Sequence, residues 1–171
     1  NVPPARLETE GDGVVLEALQ PGVYSLTLSS GAGQMVTVTE ADLPGAVDVP
    51  GPWDVYFPRG WEAPRKAVFE SLLSWPEHED DGIRCFSGTA TYVGNVDVPP
   101  QLLAADLRVY LDLGQVKNVA ELRVNGVDLG ILWKPPFRAD VTDVLVQGAN
   151  LLEVEITNLW PNGLAGATRG K

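Results

Sequence analysis

VAELRVNGVDLGILWKPPF, Val119 to Phe137, decides how the rest of the chain is read. Leu122, Val124, Val127, Leu129 and Ile131 alternate with polar or small residues on either side of Asn125-Gly126, the pattern of two strands joined by a tight turn. An Asn-Gly pair accepts positive φ at both central positions, as a type I′ turn requires, and the twist of that turn matches the flanking strands. The second strand runs into Trp133-Lys134-Pro135-Pro136-Phe137, where two prolines withdraw two backbone donors and end regular pairing. A Trp, a Lys and a Phe are thereby held on a stiff loop.

Outward from this hairpin, the same period of two recurs in short runs. On the N-terminal side lie Leu107 to Leu113, a long candidate from Cys85 to Val98 with a bulge expected at Gly94, Trp53 to Phe57, and Ala46 to Val49. Phe69 to Trp75 reads as a helical turn closed by Pro76, and Asp140 to Val146 as a second one stopped by Gly148. The closing run, Leu151 to Thr157, sets Leu152, Val154 and Ile156 against Glu153, Glu155 and Thr157, one face dry and one wet. Near the start, Val14 to Leu19, Val23 to Leu28 and Gln34 to Thr39 read as a three-stranded meander too small to be stable alone. The expected organisation is a small meander and linker over residues 1–45 and a β-sandwich over 46–171. With 18 Gly and 14 Pro in 171 residues, turns prevail over long helices and the class is all-β.

A formal charge of −11 with no cluster of Lys and Arg speaks against nucleic-acid binding. No apolar run reaches the ~18 residues of a membrane helix. The start, Asn1-Val2-Pro3-Pro4, has neither an initiator Met nor a signal peptide, so the chain reads as a mature or excised fragment. One cysteine, Cys85, cannot form a disulfide within the chain. A Ser-His-acid arrangement would have to use His78, which has no nucleophile motif around it, and four zinc ligands are not available. The acidic group Glu77, Glu79, Asp80 and Asp81 reads as a solvated turn. It is also the weak candidate for a metal, Ca2+ being the ion its oxygens suit, although it lacks the spacing of a dedicated calcium loop.

The tryptophans are more informative. Trp53 alternates with Val55 and Phe57 and belongs to a core. Trp75, Trp133 and Trp160 each stand near a proline at the end of an element, placed either to cap the sandwich or to meet a ligand or partner. Lys134, Asn158 and Asn162 are positioned in sequence to bond hydroxyls beside those rings.

Gly51-Pro52-Trp53-Asp54-Val55, Leu73-Ser74-Trp75, Phe86-Ser87-Gly88-Thr89-Ala90-Thr91-Tyr92, Leu111-Asp112-Leu113-Gly114, Val124-Asn125-Gly126, Leu132-Trp133-Lys134-Pro135-Pro136-Phe137 and Thr157-Asn158-Leu159-Trp160-Pro161-Asn162 resemble, in this order, the C-terminal region of α-L-rhamnosidases of glycoside hydrolase family 106. The resemblance covers roughly residues 46 to 166. More distantly, the hairpin with its aromatic loop is similar to the sugar-binding sandwiches of β-galactosidase and β-glucuronidase-type enzymes. The chain departs from the rhamnosidase pattern at Gly163 and Ala167, where Arg and Asp are expected.

The resemblance implies a galactose-binding-domain-like jelly-roll β-sandwich serving a catalytic barrel located upstream in a longer, secreted or periplasmic protein. It implies that Trp133, Lys134 and Phe137, with Trp160 and Asn162, face a sugar, a rhamnose- or galactose-containing glycan. Trp75 joins these candidates as an aromatic beside a proline. The expected function is a non-catalytic carbohydrate-binding or accessory module, with no cofactor beyond a possible Ca2+. The alternatives are a purely structural domain packed on the barrel and a small hydrolase in its own right.

Overall fold

The computed structural model describes residues 5–11, 13–27 and 29–159. The chain divides into two compact units, Asn1–Ala46 and Val47–Lys171.

In the first unit, β1 (Ala5–Glu10) pairs antiparallel with β2 (Gly13–Ala18), and β3 (Gly22–Thr27) pairs with β4 (Gly33–Val38). The three expected strands are present, but the arrangement differs from one meander. A further strand, β1, pairs with the first of them, giving two separate hairpins. Arg6, Glu8 and Glu10 alternate with Leu7 and Thr9 there, a charged strand that apolar counting passes over.

The second unit is built on β5 (Trp53–Tyr56), β6 (Lys66–Phe69), β7 (Thr89–Val98), β8 (Tyr110–Asp112), β9 (Val119–Val124), β10 (Val127–Leu132), β11 (Arg138–Asp140) and β12 (Gly148–Thr157). Six of these form one antiparallel sheet in the order β10-β9-β12-β7-β5-β6, and β8 pairs with β11. One face of the large sheet presents Phe69, Trp53, Val55, Ala90, Tyr92, Leu152, Val154, Ala120, Leu122 and Val124, all buried. Ala139 and Val141, together with Leu111 and Leu113, pack on that core from the side of the β8–β11 pair. The result is an all-β, antiparallel sandwich.

Three local expectations change, the first being that Ala46 to Val49 forms no strand. The β7–β12 ladder runs through Gly94, which faces Leu152 without a bulge. Glycine is needed there because an added Cβ would lie 2.7 Å from Cε3 of Trp53, whose ring rests on the strand. Pro76 opens rather than closes a turn: Trp75–Glu77 is a short 3-10 segment with the proline in its first turn, where a missing N–H costs nothing.

The Asn-Gly turn is held from below. Asn125 and Gly126 have φ of 52° and 79°. The fully buried Asn150 accepts from Asn125 Nδ2 (2.8 Å) and Val146 N (2.8 Å), and donates to the carbonyls of Val146 and Gly148 (both 2.7 Å). Asn125 in turn donates to Val144 O and accepts from Leu151 N. A buried amide whose oxygen and nitrogen are both engaged fixes the hairpin against the start of β12.

Candidate functional site

A one-residue slip in β10 decides where the aromatic loop points. Asp128 pairs with Arg123 and Ile131 with Glu121, so three steps along β10 match two along β9. Asp128 Oδ1 accepts from Gly130 N (2.8 Å) inside this bulge. A bulge reverses the alternation beyond it. Ile131 therefore turns to the outer face with 60% exposure, while Leu132, opposite buried Ala120, packs on the core. Trp133 follows with 66% of its surface exposed, and the Lys134 ammonium sits 5.1 Å from the centre of its ring. Such a pair is worth about 0.5–1 kcal/mol at an exposed site.

The remaining expected contacts separate from this pair. Phe137 is 6% exposed and its carbonyl accepts from Leu113 N (2.9 Å), so it anchors the loop from inside instead of facing a ligand. Trp75 is also 6% exposed. Its indole N–H donates to Tyr92 Oη (2.5 Å) and its ring meets Phe57 and Phe86 edge-on. It is a core residue with its single donor used and its ring packed among other aromatics. Burial pushes the Tyr92 hydroxyl up to about 12 against the opposing effect of the Trp75 hydrogen bond. Trp160 and Asn162 lie outside the described residues. Asn158 holds the backbone around Gly88, accepting from Gly88 N (2.8 Å) and donating to Phe86 O (3.0 Å).

The acidic loop does not converge on a cation. Asp80 caps the short helix α1 (Asp81–Arg84) by accepting from Ile83 N (3.0 Å), and Asp81 is paired with Arg84. Among the described residues no group of three or more His, Cys, Asp or Glu side chains, Glu77 and Glu79 included, is placed to hold a metal ion. The fold uses Asp80 and Asp81 for capping and ion pairing.

Ladder register also defines a row across the outer face of the large sheet: Ile131, Glu121, Glu155, Thr91, Tyr56 and Lys66. Glu121 and Glu155 stand opposite each other, and Arg123 bonds the first at 3.0 Å and approaches the second at 4.0 Å. At the far end Lys66 pairs with Asp54 (2.9 Å) and lies 5.5 Å from the ring of Tyr56. This second aromatic–cation pair was not among the expected site residues. Its signal is the alternation of Asp54 and Tyr56 with buried Trp53 and Val55.

What fold and surface define together is an antiparallel β-sandwich with an outward-facing Trp–Lys loop at one sheet edge. This chain is similar to segments of glycoside hydrolases. It is 42% identical over 148 residues, 86% of its length, to a candidate β-glucuronidase of Formosa agariphila. A rhamnosidase structure from Novosphingobium sp. PP1Y matches 89% of the chain with a TM-score of 0.67 and 27% identity. A Ruminococcus gnavus β-glucuronidase in complex with D-glucuronic acid matches 64% of the chain with a TM-score of 0.53 and 21% identity, a likeness of fold alone. The chain spans 13%, 16% and 21% of the lengths of these three proteins. No protein-family model matches it. Among the described residues no helix is long and apolar enough to cross a membrane.

Proposed function

We propose that the chain is a non-catalytic accessory module of a larger, α-L-rhamnosidase-like glycoside hydrolase, and that Trp133 and Lys134 contact a carbohydrate. The observation that carries this reading is the orientation of the Trp133 indole. The bulge turns it outward, Phe137 anchors the loop from beneath, and two prolines restrict it. A flat, rigid ring face matches the C–H face of a sugar, and a preorganised loop loses little entropy on binding. Lys134 supplies donors for hydroxyls beside the ring. The catalytic carboxylates belong to the parent enzyme's barrel, with rhamnose- or galactose-containing glycans as ligands and a secreted or periplasmic setting.

Titration of the chain with rhamnose- and galactose-containing oligosaccharides, followed by tryptophan fluorescence, tests the reading. The expected result is a saturable change in the millimolar range that Trp133→Ala abolishes. No response from the chain, or a response unaltered in Trp133→Ala, would remove it. The exposed Ile131 beside Trp133 favours a second reading, in which the loop packs on the parent's catalytic domain. In that case Ile131→Asp weakens association with the separately expressed catalytic domain, while sugar leaves the fluorescence unchanged.

A further inference from the structure

The first unit lacks what the second has. Among its described side chains none is buried, and none of them belongs to the hydrophobic core cluster. Its apolar side chains are nevertheless ordered by face. On the β1–β2 hairpin, Leu7 stands opposite Leu16, Thr9 opposite Val14 and Ala5 opposite Ala18. These residues share one side, with Leu7 57% and Val14 46% exposed. Arg6, Glu8 and Glu17 occupy the other side, with Val15 opposite Glu8 as its one large apolar side chain, so this hairpin is amphipathic. The β3–β4 hairpin has one predominantly apolar face and one on which apolar side chains stand among Ser25, Thr27 and Thr37. Tyr24 and Leu26 lie with Val36 on one face, while Val23 and Met35 lie on the other, 65% and 71% exposed.

Alternation of this kind is the mark of strands built to be covered on one face, and on β3–β4 the largely exposed Val23 and Met35 add apolar contact points on the mixed face. Isolated two-stranded hairpins are marginal in water, and exposed ordered apolar faces mark contact surfaces. The length of the proteins that this chain resembles indicates what covers them. The rhamnosidase match extends over 89% of this chain yet only 16% of the solved one, and the Formosa agariphila protein leaves 87% of its length (100% minus 13%) outside the match.

We infer that residues 5–38 are part of a β-layer completed by another portion of the same, longer polypeptide. Its apolar face covers Leu7, Val14, Val23 and Met35. The unit is then a seam between this chain and the remainder of the protein, independent of whether Trp133 meets a sugar.

Amide hydrogen exchange on the 171-residue chain and on the full-length gene product tests this. In the chain alone, amides of residues 5–38 are expected to exchange at least about 100-fold faster than those of β7, β9 and β12. In the full-length protein they are expected to slow by about 10-fold or more. Leu7→Glu together with Met35→Glu should reverse that slowing while leaving the protection of β7, β9 and β12 intact. Equal protection of both units in the chain alone would overturn the inference. So would protection of residues 5–38 that rises with the concentration of the chain, the mark of a second copy, or rapid exchange that persists in the full-length protein. A gene product no longer than these 171 residues would overturn it as well.

Discussion

Trp75 and Trp133 begin from similar chemistry and end in opposite surroundings. Each stands one or two positions before a proline. Trp75 enters a 3-10 turn over the sheet, meets Phe57 and Phe86, and delivers its N–H to Tyr92. Trp133 leaves an edge strand just after a bulge and faces out beneath a lysine. A neighbouring proline leaves both outcomes open: Trp133 takes its direction from the register of the strand before it, and Trp75 from the core aromatics that its 3-10 turn meets.

The sharpest way to break this comparison is to remove each ring. Trp75→Ala opens a cavity among Phe57, Phe86 and Tyr92, so chemical denaturation should show a loss of roughly 3–5 kcal/mol. Asn150→Ala should follow at roughly 2–3 kcal/mol. It leaves the Asn125 amide and the Val146 N–H without their acceptor and loosens the hairpin carrying the Trp133 loop. Melting should report this loss, with loop amides exchanging faster.

A third test separates Trp75 from Trp133 through pH. The Tyr92 hydroxyl titrates at about 12 in the folded chain and near 10.0 when unfolded. The unfolded state therefore releases its proton first. The contribution from this site is complete below about pH 10 and is lost as pH rises toward 12. The total is roughly 2–3 kcal/mol, at about 1.4 kcal/mol for each tenfold difference in proton affinity between the two states. Alkaline denaturation of the chain against Tyr92→Phe checks this: the variant should lack that part of the slope. The smallest effect belongs to Trp133→Ala, whose stability should stay within about 0.5 kcal/mol of the parent chain. A loss as large as that of Trp75→Ala would show that Trp133 is structural and end the contrast.

Much of the fold is legible in residue patterns. Asn125-Gly126 announces the hairpin, and the run from Leu151 to Thr157 separates its wet and dry faces as β12 does. The candidate site is less legible, for two physical reasons. A bulge is one residue of register, and Leu129 and Ile131 look like partners on one face until the slip at Asp128 to Ile131 sends only Ile131 outward. Tryptophan combines a large apolar body with one donor, so its fate depends on whether a distant residue supplies an acceptor. Tyr92, 17 positions from Trp75, does so, and no local pattern contains that information.

The position of β12 also governs when the sandwich can assemble. Among the described residues it is the last strand in sequence, yet it lies between β9 and β7, paired with both over much of its length. Before residues 148–157 are available, the large sheet exists only as β10-β9 and β7-β5-β6, with no ladder joining them. Joining the halves requires pairing across about fifty residues or more, from Gly148 to Val98 through Thr157 to Thr89, a separation that slows folding. Synthesis from the N-terminus therefore leaves one edge of β9 and one of β7 unpaired until the closing strand arrives. A peptide supplying residues 148–159 to a chain cut after Gln147 should act as the missing strand and restore the six-stranded sheet.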